Sequence, residues 1–317
     1  MDVSLIIPMY NEAANIERTL YQVSRVMNFL KYSYEIIIVN DGSKDNTLEL
    51  LKKAASRNKK IVLCNHLINR GLGNALKTGF NISKGNIIIP LDADLSYNAR
   101  YISILINKLE SNPDCDLVTL SPYMGGGRVL KVPFFRLLIS KLGNRVIAYA
   151  LSAKLHTVTC MVRAYRREVI DSLDLDSEGP EIQMEILAKV LNLGFKVEEI
   201  PAVLTARVGG KSKFKLKSGV SRHLLLSLYE KPMLLFGVIG LLTLLAGMSL
   251  GIYATVLAFQ GKLGTGRALV NLIILLVTSG IIMFFFGFIA NQILFVQKEL
   301  YKIKKQQKNL SLQLKKK

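Results

Sequence analysis

Two carboxylates separated by one residue, Asp92 and Asp94, follow the short apolar run Ile87–Pro90 almost at once. The run is β-branched and uncharged, which is typical of a buried strand, and ligands of α/β folds bind beyond the carboxyl ends of such strands. If the chain stays extended there, the two side chains point the same way and repel each other unless a cation lies between them. Mg²⁺ prefers oxygen ligands and commonly keeps phosphate oxygens in its shell. The pair therefore indicates either a metal–diphosphate site or an Asp-rich turn that caps the next helix.

The chain around this pair alternates between the patterns of strands and helices. Apolar runs predict strands at residues 3–8, 35–39, 61–64, 87–90, 116–120, 157–165 and 195–201. Helical periodicity predicts helices at residues 12–30, 45–57, 98–111, 133–151 and 181–193, and a further helix that opens within residues 69–74 and runs to about residue 83. This alternation predicts an α/β domain with a mostly parallel central sheet and right-handed crossovers. The unusual polar loops follow strands, so we expect them at one edge of that sheet.

Two glycine-containing stretches lie close to these loops. Gly71 and Gly73 open a predicted helix, but the third glycine and the acidic partner of a dinucleotide fingerprint are missing. The pair is compatible with direct phosphate contact at a helix N-terminus and equally with tight packing of the helix opening. The second stretch, residues 125–128, is interpreted as a flexible loop that closes over the site.

The C-terminal third contains two long apolar runs, residues 233–259 and 268–297. Each is long enough to cross ~30 Å of hydrocarbon as a helix, and only residues 260–267 separate them, which predicts a hairpin. An amphipathic stretch, 218–232, precedes the pair, and a tail with eight Lys and one Glu, 298–317, follows it. The positive-inside rule then predicts that both termini face the cytoplasm. The alternative is a buried helical hairpin of a soluble protein.

The net charge and the cysteine spacing indicate which kind of partner the chain binds and in which redox environment it works. The 317 residues carry a net charge of +19 without a basic stripe interleaved with stacking aromatics, so an anionic membrane is favoured over nucleic acid. Cys64, Cys115 and Cys160 are scattered and form no CxxC pair, which predicts no zinc site, no disulfide framework and reducing surroundings. The N-terminal apolar run is short, follows Asp2 and is broken by Pro8, so a signal peptide is not expected.

Four motifs in this order resemble the family-2 glycosyltransferases of the GT-A type. They are Pro8-Met9-Tyr10-Asn11-Glu12, Asn40-Asp41-Gly42-Ser43, Asn69-Arg70-Gly71-Leu72-Gly73 and Asp92-Ala93-Asp94. The resemblance covers about residues 3–213 and is strongest to polyprenyl-phosphate glycosyltransferases of the dolichyl-phosphate mannose or glucose synthase type. The C-terminal hairpin is similar to that of bacterial glucosyl-carrier synthases. The absence of Trp argues against processive polysaccharide synthases, which carry a Gln-x-x-Arg-Trp motif.

The resemblance implies a role for each matching residue on the donor side. The nucleotide base and ribose would be lined by Pro8, Tyr10, Glu12 and Asp41. Asp92 would touch the donor ribose or diphosphate, and Asp92 and Asp94 together would hold a divalent metal, Mg²⁺ or Mn²⁺.

The resemblance also implies an acceptor side built from cations. Arg136 would meet the acceptor phosphate, and an Arg-x-x-Gly-x-Ser-Lys pattern would gather the phosphates through Arg207, Ser212 and Lys213. The helix that carries Gln183 and Glu185 borders the acceptor side in relatives. This chain departs from the family pattern at four positions. Asn40 and Thr157 each stand where Asp is common, Ser96 stands where Gln is common, and Pro122 stands where Arg is common.

The function implied is inverting transfer of a hexose from GDP-mannose or UDP-glucose to dolichyl or undecaprenyl phosphate at the cytoplasmic face of a plasma or ER membrane. The expected organisation is a GT-A catalytic domain, a juxtamembrane helix, two transmembrane helices and a basic cytoplasmic tail. The boundaries are 1–217, 218–232, 233–297 and 298–317. Two alternatives remain: transfer to another membrane lipid such as diacylglycerol, or a non-catalytic membrane-anchored subunit that binds nucleotide-sugar.

Overall fold

The computed structural model describes residues 1–130, 132–151, 153–205, 236–261 and 267–314. These residues fall into two compact units. One unit carries the central sheet, and the other holds most of two long apolar helices.

The sheet-bearing unit contains nine strands and seven α-helices in its described part. The strands are β1 Val3–Met9, β2 Tyr34–Asp41, β3 Ile61–His66, β4 Ile87–Pro90, β5 Leu117–Ser121, β6 Arg128–Leu130, β7 Arg163–Arg166, β8 Val197–Pro201 and β9 Val203–Thr205. The helices are α1 Ile16–Phe29, α2 Thr47–Arg57, α3 Leu72–Ile82, α4 Tyr101–Ser111, α5 Phe134–Ala150, α6 Arg167–Asp171 and α7 Ile182–Asn192.

Seven of the strands form one sheet in the order β3-β2-β1-β4-β7-β5-β8. Strand β7 runs antiparallel to both of its neighbours, and every other neighbouring pair in the sheet is parallel. Strands β6 and β9 form a separate parallel ribbon. The prediction of a mostly parallel α/β sheet is confirmed.

The central strands are buried on both faces, which explains their continuous apolar sequences. Leu5 and Ile36 face a core shared with α1, α2 and α4, whereas Ile6 and Ile37 face a second core shared with α3, α6 and α7. All four side chains are completely buried. Full burial of one such side chain contributes roughly 1.5–3 kcal/mol, so the two cores fix the strands rigidly.

The strand predicted at 157–165 is mostly irregular, and regular pairing begins only at Arg163. The reason is that side chains take the backbone donors before it. The amides of Val158 and Thr159 donate to Asn144 Oδ1 at 2.8 and 3.2 Å, and the Thr157 amide donates to Glu199 Oε1 at 2.8 Å. These donors are therefore not available to a neighbouring strand.

The second unit contains α8, Val238–Phe259, and α9, Arg267–Leu314. Two segments are candidate membrane spans by length and composition: Val238–Phe259, with mean hydropathy 1.9, and Ala268–Val296, with mean hydropathy 2.7. Only 6% and 11% of their most apolar windows are buried, which argues against the buried-hairpin alternative. Helix α9 continues past residue 297 to Leu314 because the tail is rich in Lys, Gln and Leu and contains neither Gly nor Pro.

Helices α8 and α9 approach each other closely at two glycines. A Cβ atom built on Gly240 would lie 2.8 Å from Gly280 O, and one built on Gly280 would lie 2.8 Å from Gly240 O. Small residues at such a crossing allow two apolar helices to pack backbone against backbone.

Candidate active site

The predicted donor-side residues lie in loops at one edge of the sheet. Strands β2, β1 and β4 are neighbours and run parallel, so the loops that follow them are adjacent. Pro8 lies within β1 opposite Val39. The other five predicted residues of this edge follow β1 or β4 or end β2; they are Tyr10, Glu12, Asp41, Asp92 and Asp94. The fold therefore places at one edge of the sheet residues that are up to 86 positions apart in the sequence, from Pro8 to Asp94.

The loop after β1 is fastened to the loop after β2. Asn11 has a positive φ of 50°, a conformation that Asn tolerates better than most residues. Its amide donates to Ser43 Oγ at 2.9 Å, and its Oδ1 accepts from the Lys44 amide at 2.7 Å. Glu12 is buried; its Oε2 accepts from Asn15 Nδ2 at 2.7 Å, and its amide donates to Thr47 Oγ1 at 2.9 Å.

Asp41, at the end of β2, anchors the loop that precedes α3. Its carboxylate is 4% exposed; Oδ1 accepts from the Arg70 amide and Oδ2 from the Gly71 amide, both at 2.9 Å. His66 Nδ1 lies 2.8 Å from Asp41 Oδ1, and His66 Nε2 lies 3.0 Å from Thr78 Oγ1. Asp41 thus positions the third motif, and its direct contact with a nucleotide stays a prediction.

The glycine pair is explained by close packing of the α3 opening against the backbone before α7. A Cβ on Gly71 would lie 2.4 Å from Glu178 O, and one on Gly73 would lie 2.3 Å from Ser177 O. The amide of Gly73 donates to Glu178 O at 2.7 Å. These contacts favour the packing interpretation over direct phosphate contact by this amide.

Asp92 and Asp94 lie in a turn, so the extended conformation that would point both side chains the same way is not the one observed. The Leu95 amide donates to Asp92 O at 3.1 Å, and Leu95 has a positive φ of 50°. Both carboxylates are half-buried and alternate with buried Ala93 and Leu95. Asp94 Oδ1 accepts from the amide and hydroxyl of Ser96 at 2.9 and 2.7 Å, which orients that carboxylate.

Ser96 also connects the carboxylate turn to strand β9. Its carbonyl accepts from the amide and the hydroxyl of Thr205, both at 3.0 Å, and Tyr97 forms a bridge with Leu204. Since β9 pairs with β6, the turn, β9 and β6 form one connected ribbon. Strand β9 is therefore connected through Ser96 to the turn that carries Asp94.

The carboxylate pair fits a hard divalent cation by its donor chemistry. Asp92 and Asp94 offer oxygen ligands only, from one turn at the sheet edge. In the described part of the chain, no cluster of three or more His, Cys, Asp or Glu side chains is placed to hold an ion alone. The remaining ligands would be water and phosphate oxygens, as is usual for Mg²⁺.

Neutral groups lie close to Asp92. Burial raises the pKa of the Cys160 thiol to about 11, and the charge of Asp92 adds to this effect. Burial and the neighbouring Cys160 and Asp92 also raise the pKa of Tyr97 above its ordinary value. Both groups are therefore protonated at neutral pH and add no further negative charge beside the carboxylates.

The acceptor-side prediction is only partly visible. Arg136 belongs to the first turn of α5, but its side chain lies outside the described residues, as do Arg207, Ser212 and Lys213 entirely. Thr157, in place of the family Asp, is buried and shares a 2.7 Å hydrogen bond with Ser121.

The two α7 residues have different surroundings. Gln183 is buried, whereas Glu185 accepts from the amides of Asp176 and Ser177 at 2.8 Å and from Lys189 Nζ at 2.6 Å. Glu185 thus fixes the segment Asp176–Ser177. The carbonyl of the next residue, Glu178, accepts the hydrogen bond from the Gly73 amide.

Sequence reasoning missed the supporting residues His66, Thr205 and the structural role of Ser96. Their partners lie far away along the chain: His66 and Asp41 are 25 residues apart, and Thr205 and Ser96 are 109 apart. The position of His66 at the end of a predicted strand beside Asp41 was an available signal. No sequence signal pointed to Thr205.

The comparisons with known proteins agree with this architecture. The family model described as glycosyl transferase family 2 matches residues 4–174, just over half of the chain. Polyprenol monophosphomannose synthase of Mycolicibacterium smegmatis is 33% identical over 216 residues, covering 66% of this chain and 79% of the relative. Dolichol-phosphate mannosyltransferase of Pyrococcus furiosus is 33% identical, covering 69% and 60%. Undecaprenyl-phosphate 4-deoxy-4-formamido-L-arabinose transferase of Yersinia enterocolitica is 31% identical, covering 80% and 76%.

A solved structure with a similar fold is glucosyl-3-phosphoglycerate synthase from Mycobacterium tuberculosis, in complex with Mn²⁺, UDP and phosphoglyceric acid. Its TM-score is 0.56 at 20% identity, and the match covers 72% of this chain and 77% of that chain. At this level of identity the likeness shows a GT-A-like fold.

Proposed function

Because the chain belongs to glycosyl transferase family 2 and is a glycosyltransferase, we propose that it transfers one hexose from a nucleotide-sugar to polyprenyl phosphate. The donor in this proposal is GDP-mannose or UDP-glucose, and the acceptor is dolichyl or undecaprenyl phosphate. The product is a lipid-linked sugar, formed with inversion at the anomeric carbon.

One observation carries the choice of acceptor. Three relatives that are 31–33% identical are named for sugar transfer involving a polyprenol, dolichol or undecaprenyl phosphate. Their sugars differ, since two are named for mannose and one for 4-deoxy-4-formamido-L-arabinose. The names therefore support the acceptor class more strongly than they support any one sugar.

The reaction makes few demands for proton transfer. An acceptor phosphate is already an anion, so its oxygen attacks the anomeric carbon without a strong general base. The bond from that carbon to the nucleotide diphosphate breaks as the new carbon–oxygen bond forms on the opposite face. The main task of the protein is to hold two anionic reactants together, which is the role we propose for Arg136, Arg207, Ser212 and Lys213.

The donor is proposed to lie at the sheet edge already described. Its base and ribose would contact Pro8, Tyr10, Glu12 and Asp41, and its diphosphate would approach Asp92 and Asp94. A divalent ion, Mg²⁺ or Mn²⁺, would be held by Asp92 and Asp94 and would offset charge on the leaving diphosphate when bound. Ser96 supports this role because it fixes one oxygen of Asp94.

The membrane part of the proposal follows from the two candidate spans. We place α8 and the first part of α9 across the bilayer, with the catalytic domain and both termini on the cytoplasmic side. Polyprenyl phosphate would then reach the enzyme from the cytoplasmic leaflet of a plasma or ER membrane.

The test is transfer of label from GDP-[¹⁴C]mannose or UDP-[¹⁴C]glucose into the lipid extract of membranes that contain the full chain. We expect a labelled lipid from one donor, formed only with Mg²⁺ or Mn²⁺ and lost with Asp94→Asn. A sugar linked through phosphate is released by mild acid, whereas a glycosyl diacylglycerol survives mild acid but loses its fatty acids in mild base. Base-labile, acid-stable product would favour the diacylglycerol alternative, and nucleotide-sugar binding without product would favour a non-catalytic subunit.

A further inference from the structure

The clamped loop, residues 156–160, lies between α5 and β7 and is held by side chains instead of by a neighbouring strand. The backbone amides of residues 156–159 are four consecutive donors, and all four donate to two buried side chains. Glu199 of β8 accepts from the first two, and Asn144 of α5 accepts from the other two. The Glu199 side chain is 5% exposed, and Asn144 is buried as well.

Glu199 uses both of its carboxylate oxygens on this loop. Its Oε2 accepts from the His156 amide at 2.8 Å and lies 2.9 Å from Nδ1 of the same residue, and its Oε1 accepts from the Thr157 amide at 2.8 Å. Hydrogen bonds to an ionised acceptor are stronger than those between neutral groups. The carboxylate therefore fixes the backbone at the start of the loop and one nitrogen of an exposed imidazole ring.

A buried cation contacts the same loop. Arg163, the first residue of β7, is completely buried, and its Nη2 donates to Val158 O at 2.6 Å. Its Nη1 donates to Gln183 O of α7 at 2.9 Å. The loop thus gives hydrogen bonds to a buried anion and receives one from a buried cation. Displacing the loop would leave both charged groups short of partners in the interior, which is costly, so the loop has one preferred position.

The clamped loop also reaches the carboxylate turn. Cys160, its last residue, is buried and shares a hydrogen bond with the side chain of Tyr97, and Asp92 lies near enough to both groups to influence their ionisation. The Thr157 hydroxyl shares a 2.7 Å hydrogen bond with Ser121, the last residue of β5. Since β7 runs antiparallel to both β4 and β5, these two strands end at the same edge of the sheet. The loop therefore lies at the edge that carries the predicted donor residues.

We propose that Glu199 is a positioning residue for sugar transfer, because it fixes the clamped loop beside the carboxylate turn. The inference rests on the proposed function and assigns to Glu199 no contact with either substrate. With the loop in place, Cys160 and Tyr97 stay packed together next to Asp92. Release of the loop would loosen the support of the turn that the donor diphosphate approaches.

The neighbouring residue Glu198 offers a matched control. Successive side chains of a strand point to opposite faces, and Glu198 contacts Lys108 and Asn112 instead of the loop. Glu199→Gln and Glu198→Gln therefore make the same chemical change at adjacent positions of β8. In Glu199→Gln an NH₂ group replaces one carboxylate oxygen and cannot accept a hydrogen bond, so at least one loop amide loses its partner.

The position of the loop is measured without an enzyme assay through Cys160. Full-length protein in detergent is treated with N-ethylmaleimide, and mass spectrometry of its peptides follows Cys160 and, as an internal reference, Cys115, which is also buried. We expect labelling of Cys160 to be at least about ten-fold faster in Glu199→Gln, because an unsatisfied buried donor favours local opening, with Cys115 unchanged in that variant. Glu198→Gln should label Cys160 at the wild-type rate. An unchanged Cys160 rate in Glu199→Gln would overturn the proposal, and so would an equal rise at both cysteines, which indicates global unfolding.

Transfer from labelled nucleotide-sugar to polyprenyl phosphate tests the role in the reaction. At saturating concentrations of both substrates and well below the melting temperatures, we expect Glu199→Gln to be at least about ten-fold slower and Glu198→Gln to stay within about two-fold of wild type, since small misplacements of supporting groups cost rate. Faster Cys160 labelling with an unchanged transfer rate in Glu199→Gln would overturn the positioning role. Absence of transfer by the wild-type protein would instead reject the proposed function, and the labelling would still decide whether Glu199 fixes the loop.

Discussion

Asp41 shows how one buried side chain arranges the loops around a site. Its carboxylate joins the end of β2 to the amides of Arg70 and Gly71 and to the His66 ring. Charge-assisted hydrogen bonds of this kind are stronger than neutral ones, and the loop they hold opens α3. The positions of Asp92 and Asp94 could be predicted because they directly follow an apolar strand. The contacts of Asp41 could not, since its amide partners lie 29 and 30 residues away.

We therefore expect Asp41→Asn to destabilise the fold, because an amide nitrogen cannot accept the hydrogen bond that one carboxylate oxygen now accepts. The expected loss is about 1–3 kcal/mol of unfolding free energy, with weaker donor binding as the 69–71 loop loosens. Thermal denaturation of the full chain in detergent and donor titration measure the two effects. Asp114→Asn is the control, since the Asp114 side chain is exposed and its ion pair is with Lys196, which is also exposed. Equal melting temperatures for the two variants would contradict the anchoring role.

Glu185 makes stability depend on pH. Burial alone would raise its pKa, but hydrogen bonds from Lys189, Asp176 and Ser177 outweigh burial and lower the pKa overall. The stabilisation is therefore complete above the ordinary carboxyl pKa of about 4.3 and is lost as pH falls through the lower folded-state pKa. We expect Glu185→Gln to cost about 1–3 kcal/mol at pH 7, with the gap to wild type narrowing below about pH 4.

Melting temperatures of Glu185→Gln and wild type across this pH range measure the gap. The exposed Glu49→Gln on α2 is the matched control, with a small effect at every pH. A gap for Glu185→Gln that is as large at pH 3.5 as at pH 7 would show that the ionised carboxylate is not the stabilising species.

The long elements could be predicted because burial dictates their sequences. Strands β1, β2 and β4 are β-branched runs buried on both faces, and α1, α4 and α7 repeat their buried residues with helical periodicity. The ribbon of β6 and β9 could not be predicted, because each strand is three half-exposed or exposed residues long and has no apolar pattern. The ribbon exists through long-range pairing alone. It nevertheless holds the Ser96 turn beside Asp94.

The glycine crossing of α8 and α9 predicts a specific weakness in the second unit. A methyl group at position 280 would lie 2.8–2.9 Å from atoms of Gly240 and Leu244, so Gly280→Ala forces the helices apart. Gly251→Ala is the matched control, because its Cβ would meet Ile273 at an ordinary 3.8 Å. We expect a lower melting temperature in detergent for Gly280→Ala only. Similar melting temperatures for both variants would show that the close helix crossing does not contribute to stability.

The chain as a whole combines a nucleotide-sugar fold with two candidate membrane spans. Its sequence indicated this division, because charged and apolar residues are segregated between the first 231 residues and the region 232–297. The sidedness that we propose rests on the cations that flank the spans, and on no contact in the fold. Topology is therefore the property of the whole molecule that most needs direct measurement.

We expect the connection between the spans to lie on the side opposite to the tail. In a background without the native cysteines, Gly264→Cys should react with a membrane-impermeant maleimide from outside the cell or from the lumen. Ser311→Cys should react only after the membrane is opened. Labelling of both positions from the same side would contradict the hairpin topology.

The proposal that a polyprenyl phosphate is the acceptor is tested most directly by comparing two lipids that differ only in that group. Purified full-length protein in detergent would be given the labelled donor, Mg²⁺ and either polyprenyl phosphate or the polyprenol of the same chain length. Because the proposed acceptor site binds the phosphate through cations that the alcohol would leave unpaired, we predict that the phosphate supports transfer at least about 100-fold faster. Asp94→Asn should abolish the product. Comparable transfer to the polyprenol, or transfer to diacylglycerol but not to polyprenyl phosphate, would contradict the proposed function.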